Sequence, residues 1–563
     1  MSYNQNLLLL ISCIGYFLFS IALGYISYPQ EDALILFRYV NNFAETGHLY
    51  FNIDGPPTEG ATDFLWTIFL GLFLLIGVNP FVTTVIISTC SIFLIFKLII
   101  KKIIPNQSIF FYAFFIIIFL NIGQITGASI YGFSTVIFCT ICMYMYKYAF
   151  EGKYIQWSIA SVIFCLFRPE AVLFFLPSIF KAYKTAHFHN ALIHFYKSII
   201  FIICIGLAYF SLRFMYFGEL LPLPLIVKSI GGEISIIRFM ATVSQLFSTL
   251  FISLCIVTII YIFSYRKIFF KLDTNFIVFI LITLSLIIYI FSLSTGFTSQ
   301  NIFFRYFAPI YFFIFLCAMY SLAKINYNKF YLLILYSFLL LGSFDNSNLL
   351  NRTLNIEKRN ITNPTYNIMR EFNENSFKNH PLVLISTSLE KIEKKLKIMI
   401  TEAGALPYIT KFDSYDLAGL NNNLFAKRPV SCQDIDEINP DLIEIDLGPA
   451  MYLVNFDKLL NNNNFPNCGI FSKELIYTED GIINNNEMFY VDSYDNIRKE
   501  KHHNSTVSLA ASNILYCMSF NEEYKNAFIN KKSDQIYFFK DDIEIKKGLM
   551  ESCEIDTYGY LQN

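Results

Sequence analysis

The chain has 563 residues, 55% of them hydrophobic and only 15% charged, with a mean hydropathy of +0.48. Soluble domains carry about 25% charged residues, so an ordinary water-soluble enzyme is excluded. The formal net charge of −1 selects no class of partner, and no nucleic-acid motif is visible.

In chain order, the apolar run from Leu7 to Ile26 lacks a basic leading segment and an Ala-x-Ala cleavage site, which predicts an uncleaved first span. An external loop over 28–61 follows, opened by the acidic pair Glu31 and Asp32. On a helical wheel Ala33, Leu36, Phe37, Val40, Phe43 and Ala44 share one face, and Glu31, Arg38, Asn41, Asn42 and Glu45 the other, with Asp32 beside Tyr39 at the border. That pattern predicts a short amphipathic helix lying on a membrane surface and stopping at Gly47. The Asp-Gly-Pro-Pro run within Asn52 to Gly60 has turn chemistry, and Trp66 marks the interface where the chain re-enters the bilayer.

A span needs about 20 apolar residues. Hydropathy predicts about eleven candidates, at 7–27, 62–77, 80–99, 108–121, 129–148, 155–180, 198–214, 239–264, 274–294, 304–323 and 329–343. In this ladder Lys181, Lys184, Lys197, Arg266, Lys267, Lys271, Lys324 and Lys329 share one side, which the positive-inside rule makes cytoplasmic. The acidic loop and the C-terminal region then face outward. Lys97, Lys101 and Lys102 break the rule, which points to half-spanning or broken helices between 62 and 180.

From 344 to 563 the composition becomes polar. A buried strand is predicted at Pro381 to Ser386, a charged helix at Ser388 to Leu396, a strand at Asp441 to Ile445 and a helix at Ser508 to Met518. Asn421 to Asn423, Asn461 to Asn464 and Asn484 to Asn486 read as loops. The fold class is therefore a polytopic α-helical membrane protein, domain 1–343 with the loop 28–61, followed by a soluble α/β or α+β domain, 344–563. Cys13, Cys90, Cys139, Cys142, Cys165, Cys204, Cys255 and Cys317 fall in hydrophobic segments and read as small apolar residues. Cys432, Cys468, Cys517 and Cys553 lie in the polar region, where three disulfide connectivities are open.

Three motifs carry a resemblance. Glu31-Asp32-Ala33 with Arg38-Tyr39, then Gly47-x-x-Tyr-Phe-Asn52, then Glu59-Gly-x-Thr62 with Leu65-Trp66 resemble the first external loop of the GT-C integral-membrane glycosyltransferases. They are most similar to the bacterial arabinofuranosyltransferase branch, which uses polyprenyl-phosphate sugars. The passages 402–408, 416–420 and 439–443 are similar to the soluble region of the same branch. Glu31 stands where that branch has a first Asp. Leu223 and Pro224 replace an Asn-Thr pair ahead of Lys228, and Gly132-Phe-Ser134-Thr135 replaces a Gly-Met/Leu-Glu-Thr.

The resemblance implies an inverting transferase that moves a sugar from a polyprenyl-phosphate donor to an envelope glycan or glycolipid acceptor. The site would face the periplasmic or extracytoplasmic side of a bacterial inner membrane. Such chemistry needs a carboxylate to take the acceptor's proton and cations to hold the leaving phosphate. Asp32 and Glu31 are the expected acids, and Arg38, Lys228, Arg305 and Arg168 the expected phosphate ligands. Tyr39, Glu59, Trp66 and Glu170 are expected to contact substrate. No nucleotide-binding motif is present and no metal site is expected, although a divalent cation is compatible with the reading. Each residue has a plainer reading as well: interfacial acids for Glu31 and Asp32, an ion pair with Glu170 for Arg168, and a snorkelling side chain for Arg305. A lipid-linked glycan transporter or flippase, or a non-catalytic glycan-binding membrane protein, are the alternatives to a transferase.

Overall fold

The computed structural model describes residues 3–26, 31–230, 236–246, 249–264, 274–295, 302–324, 339, 381–428, 430, 432–446, 535–540, 542–545 and 547. It also describes short strands at 477–478, 481–482, 487–491, 497–501, 526–530 and 557–560. By their internal contacts these fall into two compact units, Met1–Tyr25, Asp63–Met215 and Glu233–Lys358 in the first, and Ile26–Thr62, Tyr216–Gly232 and Arg359–Asn563 in the second. The acidic loop thus groups with the C-terminal residues, whereas the sequence reading placed it with the spans.

The first unit is helical and membrane-like. Among the described residues four helices are long and apolar enough to cross a bilayer: Tyr3–Ile21, Pro80–Ile103, Leu192–Phe217 and Arg305–Ala323. The expectation of eleven spans is corrected, because several apolar runs are cut short. Phe64–Leu75 has 12 residues, about 18 Å of helix, against a hydrocarbon core of about 30 Å. The run 155–180 breaks at Arg168 into Tyr154–Phe167 and Ala171–Phe188. Pro80–Leu98 continues into a π-helical turn at Ile99–Ile103, where Lys101 and Lys102 lie. Of the run at 329–343 only residue 339 is described. Trp66, expected at the lipid interface, is fully buried and donates its Nε1 hydrogen to the Gly132 carbonyl at 3.2 Å.

The second unit is built on a six-stranded mixed sheet. Lys397–Ile400 pairs in parallel with Asp413–Asp416 on one side and with Leu442–Asp446 on the other. Gln535–Phe539, Asn526–Asn530 and Thr557–Tyr560 extend it antiparallel. The predicted strand at Pro381 to Ser386 is a helix, Pro381–Glu390, that lays Ile385 and Leu389 on the sheet core. Of the predicted helix at Ser388 to Leu396, the first three residues end the helix Pro381–Glu390 and 391–396 turn into the first strand. There Lys394 reaches Asp441 at 2.8 Å, and Lys395 reaches Asp54 at 2.7 Å and Asp413 at 2.9 Å. The strand expected at Asp441 to Ile445 forms as Leu442–Asp446, while the expected helix at Ser508 to Met518 and the loops at 461–464 and 484–486 lie outside the described residues.

The amphipathic helix forms as Glu31–Thr46 and stops at Gly47, whose φ of 75° suits glycine. Its placement corrects the surface-lying expectation, since every residue from Ala33 to Val40 is buried. Ile35 and Tyr39 join the sheet core. Arg38 is buried too, and its donors are occupied by three backbone carbonyls and the Asn52 side chain. Nε donates to the Phe51 carbonyl at 2.6 Å, Nη2 to the Phe412 carbonyl at 2.8 Å and to Asn52 Oδ1 at 2.9 Å, and Nη1 to the Pro407 carbonyl. Its guanidinium also lies 4.6 Å from the Phe51 ring centroid.

Burial lowers the Arg38 guanidinium to about 10, still charged at neutral pH. Removing it leaves these acceptors buried and unpaired, so Arg38→Ala is expected to cost on the order of 3 kcal/mol. The check is the unfolding of the purified protein. A lowered donor affinity at unchanged stability would instead indicate a phosphate ligand.

Candidate functional site

The residues singled out in sequence divide between the units. Trp66, Arg168, Glu170 and Arg305 belong to the first; Glu31, Asp32, Arg38, Tyr39, Glu59 and Lys228 belong to the second.

In the first unit three helices begin at polar N-cap residues: Phe64–Leu75 at Asp63, Thr135–Glu151 at Ser134 and Ala171–Phe188 at Glu170. None of the three side chains caps its own helix. The Ser134 hydroxyl donates instead to Asp63 Oδ2. Arg168 Nε lies 3.8 Å from Asp63 Oδ1, and Arg168 Nη2 lies 2.6 Å from Glu170 Oε1. The Tyr289 hydroxyl donates to Glu170 at 3.4 Å. Arg305 Nη2 donates to the Tyr306 hydroxyl at 3.1 Å, and its guanidinium stands 4.2 Å from the centroid of the Phe133 ring. Both guanidinium groups face the Tyr306 ring, Arg168 at 5.6 Å and Arg305 at 4.8 Å.

The electrostatics are consistent with this arrangement. A helix N-terminus carries about half a positive charge, which favours the acids Asp63 and Glu170 there. Arg168 follows the C-terminal end of Tyr154–Phe167, the end that favours a cation. The two carboxylates therefore meet the Arg168 guanidinium where helix ends favour each charge.

Arg168, expected to bind phosphate, is engaged as an ion pair between Asp63 and Glu170, and Glu170 is accordingly its counter-ion. Asp63, Tyr289 and Tyr306 were missed in sequence. Asp63 was legible as the acid immediately after the Glu59 to Thr62 motif, whereas nothing local marks the tyrosines. Ser134, which stands where the resemblance expects Glu, holds a carboxylate supplied from elsewhere in the chain.

In the second unit Glu31 Oε1 accepts backbone hydrogens from Gly404 at 2.7 Å and from Ala405 at 2.8 Å. A Cβ at Gly404 would meet the Glu31 carboxylate and carbonyl, so glycine is required for this approach. Glu31 is thus a structural acceptor, while Asp32 is half-buried at the start of the same helix. Arg38, with its donors occupied by carbonyls, is likewise a structural residue. Glu59 is buried, and its carbonyl accepts from Leu223 N at 3.1 Å. Lys228 falls in the helix Leu223–Ile230, its side chain lying outside what the structure describes.

Tyr39 is tied into a network. Its hydroxyl accepts from Gly60 N at 2.9 Å, pairs with Thr58 Oγ1 at 3.0 Å and donates to Asn421 Oδ1 at 3.2 Å. Asn421 Nδ2 in turn donates to Asp416 Oδ2 at 2.8 Å, and the Ala418 and Asn421 amides donate to the same carboxylate. Burial pushes the Tyr39 hydroxyl up and the Asp416 carboxyl up to about 6, against the pull of the bonds Asp416 accepts.

Among the described residues no group of three or more His, Cys, Asp or Glu side chains is placed to hold a metal ion. The eight cysteines of the apolar segments are free thiols, two of them, Cys13 and Cys139, buried. Cys432 falls in the helix Cys432–Ile438, and Cys468, Cys517 and Cys553 lie outside the described residues. No protein-family model and no curated protein matches the chain.

Two outcomes are expected. Arg168→Leu leaves buried Asp63 and half-buried Glu170 without their cation, a loss of about 3 kcal/mol, readable as a lowered unfolding temperature in lipid nanodiscs. For Asp416, whose folded value is raised, the stability it contributes is fully present below its unfolded value of 3.8 and is lost as the pH rises through about 6. Unfolding followed from about pH 4 to pH 7 is therefore expected to show a decline that Asp416→Asn flattens.

Proposed function

We propose that the protein is a membrane glycosyltransferase of the GT-C type, moving a sugar from a polyprenyl phosphate to a hydroxyl of a glycan or glycolipid acceptor. The observation that carries the reading is the set of buried Asp63, Arg168 and Arg305 with half-buried Glu170 in an apolar helical unit. Ionisable groups kept among apolar helices are expensive and mark functional sites. The motifs between Glu31 and Trp66 support the same reading and supply its substrate class.

Asp32 is assigned as the general base. Glu31 accepts two backbone hydrogen bonds, which commit its carboxylate to holding the 404–405 backbone. In the reaction Asp32 takes the proton of the acceptor hydroxyl as that oxygen bonds to the anomeric carbon. The bond from the anomeric carbon to the phosphate oxygen breaks, and its electron pair leaves with the polyprenyl phosphate. A single displacement inverts the anomeric configuration. Lys228 is the cation assigned to the departing phosphate, on the strength of the resemblance ahead of it.

A second reading, a carrier of lipid-linked glycans, is favoured by one observation, the charged break between Tyr154–Phe167 and Ala171–Phe188. Turnover separates the two. With a panel of polyprenyl-phosphate sugars, product mass is expected to show sugar transfer, and Asp32→Asn to reduce it by at least about 10³-fold with expression and unfolding temperature unchanged. Near-wild-type turnover by Asp32→Asn, or movement of the lipid across a bilayer without any cleavage, would overturn the assignment.

A further inference from the structure

Three consecutive helices of the first unit connect its polar cluster to a region of opposite character. Thr135–Glu151 leaves the cluster at Ser134, and Gly152, with φ 67°, turns the chain back at Lys153. Tyr154–Phe167 returns to the cluster at Arg168, and Ala171–Phe188 leaves it again at Glu170. At the far end Glu151 meets Lys153 at 2.8 Å and Lys102 at 3.5 Å, and Lys181 lies 4.1 Å from the centroid of the Phe150 ring. Thr135–Glu151 has 17 residues, about 25 Å of helix, close to the thickness of a hydrocarbon core of about 30 Å.

Pro80–Leu98 and its π-helical continuation reach the same end. The Thr140 hydroxyl donates to the Ser91 carbonyl at 3.4 Å, and Glu151 meets Lys102 farther along both helices, so the two run in the same direction. Lys97, Lys101 and Lys102, which the hydropathy ladder set opposite Lys181 and Lys184, therefore lie with them. Reading 155–180 as one span produced the conflict; as two antiparallel helices the run returns to the side it left.

The chemistry of this end is uniform. Segments 97–107, 144–154 and 180–197 hold eight lysines and a single acid, Glu151. Aromatic rings lie beside the ammonium groups, the Phe93 centroid 5.5 Å from Lys97, that of Tyr144 4.9 Å from Lys147 and that of Phe180 5.7 Å from Lys184. Lys97, Lys101, Lys102 and Lys184 are exposed. Lysine stems laid on apolar surface with their charges beyond it, among aromatic rings, form the pattern of a membrane interface. A phospholipid headgroup matches both features, its phosphate meeting the ammoniums and its glycerol and acyl carbons the rings.

We propose that this end of the first unit is a binding surface for anionic phospholipid headgroups, with Lys97, Lys101, Lys102, Lys147, Lys181 and Lys184 as its contacts. The inference rests on the first unit alone and holds whichever reaction the protein performs. Full-length protein in a neutral detergent would be titrated with fluorescent phosphatidylglycerol and, separately, with fluorescent phosphatidylcholine, followed by anisotropy. Phosphatidylglycerol is expected to bind at least about tenfold more tightly, because each lysine near an anionic lipid surface adds to the attraction. The preference is expected to shrink between about 0.05 M and about 0.5 M salt.

The triple variant Lys97→Gln, Lys101→Gln, Lys102→Gln is expected to lose most of the preference, and Lys97→Arg, Lys101→Arg, Lys102→Arg to keep it. The salt series reads the unaltered protein and does not depend on either variant folding. Equal affinity for the two lipids, a preference indifferent to salt, an unchanged preference in the Gln variant, or displacement of the lipid by equimolar inorganic phosphate would overturn the proposal. Donor turnover is read separately through Asp32→Asn, so either reading can fail while the other stands.

Discussion

A buried guanidinium bonded to backbone carbonyls holds the second unit in register. Arg38 reaches the carbonyls of Phe51, Pro407 and Phe412, so one side chain joins the early helix, the loop after it and residues more than 350 positions later in the chain. Five donors in a planar fork suit this task better than a lysine's single ammonium. Because buried carbonyls are costly to leave unpaired, the contact constrains where the helix Glu31–Thr46 sits. That placement sets Glu31 against the Gly404 amide and leaves Asp32 half-buried beside it.

In the first unit the same constraint, that buried charge must be compensated, is met by different means. Arg168 interrupts what hydropathy reads as one long span, and the interruption lets the starts of three helices contribute Asp63, Ser134 and Glu170 to one polar cluster. Helix ends supply unpaired backbone groups and a dipole, so a broken helix can stabilise charge that a continuous span cannot. The short helices and the charged cluster therefore have a common cause.

The two sets of residues differ in what surrounds their charges. Arg38 and Glu31 are bonded to backbone, which fixes structure and leaves little capacity for a ligand. Arg305 packs on the aromatic faces of Phe133 and Tyr306 and donates to the Tyr306 hydroxyl. That distinction sorts the expected phosphate ligands more sharply than charge alone, since all of them are cations in sequence.

The sequence by itself determined the apolar, helical character of the first part, the helix Glu31–Thr46 with its stop at Gly47, the turn at 421–423 and the strand at Leu442–Asp446. These follow from hydrophobic periodicity and from glycine's freedom at positive φ, which act over a few residues. Tertiary structure alone decided that both faces of the helix are buried from Ala33 to Val40, that Pro381–Glu390 is a helix, and that Trp66 lies inside. It also decided that Arg38 and Glu31 bond to residues near 404–412 and that Ser134 meets Asp63. Each of those depends on partners far along the chain, and a local pattern carries no information about which distant carbonyl, amide or carboxylate will be brought to a given side chain.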